Sequence, residues 1–353
     1  MTTPTAEKYA YNTPGNYARG WHVMLFSSEI TVGEIKRFQY FEKEFIIFRG
    51  ENGEVGALDA YCPHLGANLG GVGAKVIGNH VRCPFHGWQF DNSGACQHIP
   101  HASTIPPRAK NALGAWPIIE KCGFIAVWHD TDGMGPDYEL PEIPGWETGD
   151  WGDWRFKRSR IPTQGKEIIE NMADKAHFAF VHGGLPEKFE VTFEKHMVTQ
   201  DAVINTAVTH DMIIPPEAPQ WLKDHMLNPD REGGQSTGIA RYHGPAIMYF
   251  HAQMQAFDFE FETFWLNVHV PVNNDEVDLC SAVIIKPKPG TDMPQEFIDM
   301  YPEIAHAAFG QDVEIWKDKT YQENPILCDA DGPINKLRKW YDQFYTDRVI
   351  AKA

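Results

Sequence analysis

The sequence predicts an α+β chain in two parts: an N-terminal all-β domain, then a larger α+β domain with an antiparallel sheet covered by helices. Three observations carry this. The N-terminal third alternates short apolar and polar runs, punctuated by Gly and Asn-Gly. A Gly- and Pro-rich stretch without periodicity, TDGMGPDYELPEIPGW at 131–146, then interrupts the pattern. Beyond it, helical and strand periodicities occur side by side. The 353 residues are ample for two domains. The expected division is 17–130 and 131–353, with 1–16 as an N-terminal extension.

In the first part WHVMLF, EFIIFRG and VGALDAY read as short strands, and FIAVWHD at 124–130 ends the domain in the same texture. In the second, EIIENMADKAHFAFVHG at 167–183 has apolar residues at helical spacing. The segment AFDFEFETFWLNVHVPV sets Phe257, Phe259 and Phe261 against Asp258, Glu260 and Glu262, which is a half-buried strand, and SAVIIKPKP reads as its neighbour. Two helices are expected near the end of the chain, around 296–320 and 333–346. In the last, Ile334, Leu337, Trp340, Tyr341 and Phe344 fall on one face.

Apolar content of 42% and charged content of 22% are those of a soluble globular protein. A formal net charge of -17 with no basic stripe argues against a nucleic-acid partner. The acidic surface reads as a solubility device. No apolar run approaches the roughly 20 residues of a membrane helix. The N-terminus lacks the basic start and apolar centre of a signal peptide, so a cytoplasmic location without membrane insertion is expected. Six cysteines in such a chain suit metal binding or buried thiols better than disulfides.

The strongest motif is Cys62-Pro63-His64 followed by Cys83-Pro84-Phe85-His86-Gly87-Trp88. Each of two loops offers one thiolate and one imidazole. A Rieske [2Fe–2S] cluster needs that set, with two Cys on one iron and two His on the other. The Gly-rich flanks let backbone approach such a cluster and donate N–H groups to its sulfides. Zinc is the competing reading, but its usual pairs are Cys with Cys and His with His. Here each pair is mixed. His80 reads as a surface residue. Cys96, Cys122, Cys280 and Cys328 lack matching partners and read as buried or inert thiols.

A second constellation lies in the helical stretch. Asp174 and His177 are three apart and would share a helix face. His182 follows His177 by five, roughly 140° around an ideal helix. Their imidazoles converge only if the helix bends, bulges or ends between them, and an end at Gly183-Gly184 meets that need. Two His and one carboxylate on one side of an iron, with positions left open, is the arrangement of non-haem Fe(II) sites that activate O₂. Asp312, inside the apolar helical segment Phe309–Trp316, is a candidate third ligand, with Glu314 and Asp318 as rivals. Taken alone, Asp174 reads as a helix-surface charge.

These motifs, taken together, resemble the Rieske non-haem iron oxygenases, and within them the oxygenase component of bacterial 3-ketosteroid 9α-hydroxylases. The similar stretches include YARGWH, LDAYCPH, CPFHGW, PEIPGW, EIIENMADKAHF, GLPEKFE and QDVEIWKDKT. The tail NPILCDADGPINKLRKWYDQFYTD at 324–347 is not shared by Rieske oxygenases at large. The resemblance covers nearly the whole chain. It implies a Rieske domain followed by a helix-grip-like catalytic domain. It implies cluster ligands Cys62, His64, Cys83 and His86, and iron ligands His177, His182 and Asp312. It implies that Asp174 links a cluster histidine of the next subunit to an iron histidine of its own, within a head-to-tail homotrimer. The chain departs from the family in two places. Eighteen residues separate His64 from Cys83, roughly two more than expected, and 211–240 lacks the steroid-hydroxylase pattern and is a candidate pocket lid.

The activity so implied is hydroxylation of an unactivated C–H bond of a steroid, with O₂ as co-substrate. NAD(P)H would act only through a separate partner, a flavin/iron–sulfur reductase or a ferredoxin, because GVGAKV at 71–76 lacks the third glycine of a dinucleotide fingerprint. Met172, Gln200, Tyr242, Met248, Asn267, Phe309 and Trp316 are the expected pocket lining, with Gln200 and Asn267 suited to ketone oxygens. Ordinary core packing is the competing reading for each. The rival functions are a pure electron carrier, an oxygenase or desaturase acting on another sterol, bile-acid-like or polycyclic apolar substrate, and a non-enzymatic zinc scaffold.

Overall fold

Ten short strands build the first part of this computed structural model, which describes residues 15–184, 186–206, 220–227, 234–256 and 259–345. They are β1 (Gly20–Phe26), β2 (Ile35–Tyr40), β3 (Lys43–Arg49), β4 (Val55–Asp59), β5 (Lys75–Ile77), β6 (His80–Arg82), β7 (Gln89–Phe90), β8 (Cys96–His98), β9 (Ile118–Lys121) and β10 (Phe124–His129). They pair antiparallel in three small sheets, ordered β1-β10-β9, β2-β3-β4 and β5-β6-β7-β8. Ile46, Phe48, Leu58, Leu69, Val81 and Phe90 form one core, and Cys62 and Cys83 are buried within it. The two compact units of the chain meet in sequence between Glu139 and Leu140, and Val272–Asn274 belongs with the first.

The second unit is organised by one antiparallel sheet of seven long strands. They are β11 (Arg155–Ile161), β12 (Lys188–Phe193), β13 (Met197–Thr206), β14 (Gly234–His243), β15 (Ile247–Ala256), β16 (Phe259–Pro271) and β17 (Val277–Pro287). Their order is β11-β17-β16-β15-β14-β13-β12. Directly opposed residues of antiparallel strands share a face. The register lines up Val198, Tyr242, Met248, Asn267 and Ser281 in one row. Gln200, Ala240, Phe250, Trp265 and Val283 form the next row of the same face.

Helices cover that face. They are α1 (Gly165–Ile169), α2 (His177–Val181), α3 (Gln220–Leu227), α4 (Gln295–Asp318) and α5 (Ile334–Tyr341). From α4, Phe297, Tyr301 and Ala305 pack on Phe261, Val283 and Ile285 of the sheet. Further along, Val313 and Trp316 pack with Ile161, Ile168, Val277 and Leu279. The opposite face carries Trp151 against Phe264, ring centroids 6.2 Å apart.

Both expected C-terminal helices are present, the second ending in a 3₁₀ turn at Asp342–Phe344. Ile334, Leu337, Tyr341 and Phe344 are its buried face, with Trp340 half-buried. The helix expected across 167–183 is a correction. It breaks into α1, a 3₁₀ turn at Glu170–Met172, and α2, so Asp174 lies in the break rather than on a helix face. Of the expected lid at 211–240, α3 and the start of β14 are described, and the rest, like Phe257 and Asp258, lies outside the described residues.

Candidate metal centres

The two Cys–His loops are built alike. In the first, the Cys62 N–H donates to the Ala67 carbonyl (2.8 Å) and the Gly66 N–H returns to the Cys62 carbonyl (2.9 Å). In the second, the Cys83 N–H donates to the Trp88 carbonyl (2.8 Å) and the Gly87 N–H returns to the Cys83 carbonyl (3.1 Å). Gly66 at φ +76 and Gly87 at φ +74 take the left-handed conformation that such a turn needs. Both sulfurs are thereby fixed in the core, while the loop tips, Leu65 and Phe85, are exposed.

The four side chains come together. The His64 and His86 rings lie 4.7 Å apart at 71°, and Trp88 stacks on His64 at 4.7 Å. Burial pushes the Cys62 thiol up to about 12, with the neighbouring Cys83 adding to the effect. Such thiols ionise readily only against a metal. His64 Nδ1 is buried without a hydrogen-bond partner among the described residues, as a metal-facing nitrogen would be. The donor set therefore fits a Rieske cluster. All six cysteines are free thiols; Cys96, Cys122 and Cys280 are buried and Cys328 is exposed. His80 is half-buried on β6.

The second centre forms where three elements end or turn together. One ligand atom each from His177, His182 and Asp312 lies within 4.8 Å of the others. His177 opens α2 and His182 caps it. Gly183 then turns with φ +78, and the Gly184 N–H reaches back to the Phe178 carbonyl at 3.1 Å. That early helix end brings the two imidazoles to 5.4 Å. From α4, Asp312 Oδ2 stands 3.4 Å from His182 Nε2. Asp312 is 8% exposed, while the rival acids Glu314 and Asp318 face solvent. Burial works against charge on His182, but the facing Asp312 outweighs it and holds the imidazole above its ordinary value. Two imidazoles and a carboxylate on one side of a common point suit a non-haem iron.

Both imidazoles are oriented from behind. His182 Nδ1 pairs with Gln311 Oε1 at 3.1 Å. His177 Nδ1 lies 2.9 Å from the backbone carbonyl of Asp174, against 3.9 Å from its carboxylate. Within this chain, then, the Asp174 main chain holds the imidazole. Its Oδ1 accepts the N–H groups of Ala176 (2.9 Å) and His177 (3.1 Å), as a helix N-cap does. Burial opposes ionisation of Asp174, yet the His177 side chain together with these backbone hydrogen bonds prevails and holds its carboxyl below the ordinary range. The sequence did not single out Gln311, whose only signal is its place before Asp312.

Of the expected pocket lining, Gln200, Tyr242, Met248 and Asn267 share the sheet face beneath α4. Gln200 Nε2 donates to the Met172 carbonyl at 3.3 Å. Burial, with nearby Asp312, pushes the Tyr242 hydroxyl up. Asn267 is buried with neither amide atom hydrogen-bonded among the described residues. Phe309 and Trp316 stand edge to face at 5.7 Å, and Trp316 is part of the α4 core packing.

Both parts of the chain match known families. The profile of the Rieske [2Fe–2S] domain matches residues 20–111, and that of the 3-ketosteroid 9alpha-hydroxylase C-terminal domain matches 127–345. A 3-ketosteroid-9-alpha-monooxygenase oxygenase component from Rhodococcus rhodochrous is 34% identical over 97% of this chain and 84% of its own. One from Mycobacterium tuberculosis is 33% identical over 96% and 84%. A protein from Hemicentrotus pulcherrimus called cholesterol 7-desaturase is 29% identical over 95% of this chain and 71% of its own. Among solved structures, apo dicamba monooxygenase superposes with a TM-score of 0.67 at 15% identity, covering 95% of this chain and 97% of that one. At that identity it bears on the fold alone. The chain belongs to the family of 3-ketosteroid-9-alpha-monooxygenase oxygenase components.

Proposed function

We propose that the protein is the terminal oxygenase of a two-centre monooxygenase that hydroxylates a C–H bond of a 3-ketosteroid, with position 9α favoured. The observation that carries this is the convergence of His177, His182 and buried Asp312 within 4.8 Å, in a chain that also brings a Cys₂His₂ quartet together. Cys62, His64, Cys83 and His86 would hold the cluster, and His177, His182 and Asp312 the iron. When bound, the cluster would supply electrons singly and the iron the site at which O₂ is reduced. One oxygen atom enters the substrate as a hydroxyl. The other leaves as water, with two electrons and two protons.

This chain's residues do the rest. Tyr242, Met248 and Phe309 offer an apolar wall that keeps water from the reacting carbon. Asn267 and Gln200 are amides placed to meet ketone oxygens, with Met172 and Trp316 closing the lining. Asp174 would bridge His177 to a cluster held by a neighbouring subunit. The homotrimer this requires is supported by exposed apolar side chains at the cluster loops, Leu65, Val72 and Phe85, and beside the iron site, Phe180 and Ile315. No helix of the described residues is long and apolar enough to cross a membrane. We place the protein in the cytoplasm, where thiolate ligands stay reduced, with a separate reductase as donor.

A single turnover tests this. The reduced protein, with both centres loaded, is mixed with androst-4-ene-3,17-dione and O₂. A product heavier by one oxygen at carbon 9 is expected. Desaturation, the second reading favoured by the 29% identical cholesterol 7-desaturase, would instead give a product lighter by two hydrogens. No product from the loaded protein would discard this substrate.

A further inference from the structure

We propose that the C-terminal segment 328–338 is a brace for the Asp174 turn, and that Arg338 and Gly332 are positioning residues for electron transfer to the iron. This rests on the assignment of Asp174 as the bridge. The argument starts from how little holds Asp174 locally. It lies between a single 3₁₀ turn and a helix of five residues, and neither is stable by itself. Its N–H and that of Ala173 both donate to the Glu170 carbonyl, at 3.1 and 2.9 Å. The turn is therefore placed by Glu170.

Glu170 is in turn held from the tail. Its buried carboxylate takes Arg338 Nε on Oε1 at 2.6 Å, and Lys319 Nζ stands 3.4 Å from Oε2. The same guanidinium donates through Nη1 to the carbonyls of Gln322 (2.7 Å) and Glu323 (3.2 Å). It lies over the Tyr321 ring at 4.6 Å, a ring that also carries Lys166 Nζ at 3.6 Å. Without Arg338 the buried carboxylate keeps only Lys319, which it shares with Glu167, so the force that fixes the position of Glu170 is weakened.

The second contact is backbone on backbone. Gly332 has φ +76, and a Cβ there would stand 2.1 Å from the carbonyl oxygen of Ala173. The tail thus lies directly against the residue before Asp174. Its far end is fixed to the sheet side: Tyr341 Oη donates to the Pro245 carbonyl (3.3 Å) and Trp340 Nε1 to the Glu194 carbonyl (2.6 Å). Leu337, on the same helix, is fully buried. A rigid sheet, a short amphipathic helix and one arginine together set where the Asp174 carboxylate is presented.

The test compares Arg338→Gln, Arg338→Lys and Gly332→Ala with Asp174→Asn. Gly332→Ala keeps every ionic contact, pushing on the Ala173 carbonyl and straining its own left-handed backbone, so it serves if Arg338→Gln folds poorly. Two readouts are used: amide exchange of residues 171–178 in the metal-free protein, and the rate of cluster oxidation per iron-loaded site in a single turnover. Arg338→Gln and Gly332→Ala should speed exchange there at least tenfold, with α4 unchanged. Both should slow cluster oxidation at least tenfold at an unchanged cluster potential, and Arg338→Lys should recover part of the rate. A rate that falls only with lost iron, or stays at wild type while Asp174→Asn is slow, overturns the brace and leaves the bridge. Wild-type oxidation by Asp174→Asn overturns both.

Discussion

Asp312 shows how one residue is made a candidate ligand by its surroundings. Glu314 and Asp318 occupy the same helix and carry the same group, but they are solvated. The Asp312 carboxylate is buried and faces the His182 imidazole at 3.4 Å. A buried anion requires a cationic partner, and a metal shared with two imidazoles provides it. Asp312→Ala should therefore lose the mononuclear iron and keep the cluster. Iron analysis should fall from about three to about two atoms per chain with the visible spectrum intact. Three irons in the variant would assign the third ligand elsewhere. The two Cys–His loops stood out in the sequence because their spacing is unusual, and the structure brings their imidazoles together. The competition between Asp312, Glu314 and Asp318 was not decided by spacing, because all three fit a helix and only packing separates them.

At the scale of the element, the decisive feature is where α2 starts and stops. Apolar periodicity runs on through 167–183 and hides the break at Asp174, although burial changes there: Ile168, Ile169, Met172 and Ala173 before it are buried, and no residue of α2 after it is. What marks the break is a polar side chain that satisfies the N–H groups of Ala176 and His177. The end of the helix was legible, because His177 and His182 cannot meet on a continuous one and two glycines follow. Gly183 at φ +78 makes that end, and a side chain there is strained by about 1 kcal/mol. Gly183→Ala should lower stability by roughly that amount. It should also weaken Fe(II) binding to the metal-free protein about tenfold, as His182 swings from its partners. Titration of Fe(II) into the variant reads this directly, and unchanged affinity would mean that Asp312 and Gln311 fix His182 without the turn.

For the molecule as a whole, an α+β chain with an antiparallel sheet was legible from its periodicities, but the strand order was not. β11 and β12 are neighbours in sequence and lie at opposite edges of the sheet, because β11 pairs with β17 across more than a hundred residues. Such pairing is set by the whole core, which also buries groups that would rather be charged. Burial holds His129 in the first unit, and His243 and His306 in the second, below their ordinary value of 6.5, the last two down to about 4. Below about 6.5 the unfolded chain takes up protons that the native state refuses, so stability falls as pH drops, and keeps falling until about 4. His182 works in the opposite sense, since Asp312 holds it above its ordinary value. Comparing variants separates the contributions. His306 is buried against Ser281 Oγ at 3.3 Å. Between pH 7.5 and 5 it should account for about 2 kcal/mol of lost stability. His306→Asn should remove that part, so urea unfolding of the two proteins should converge as pH falls. Curves that run parallel from pH 7.5 to 5 would show that His306 takes up its proton at the same pH in the native and the unfolded chain, so that burial does not oppose its charge.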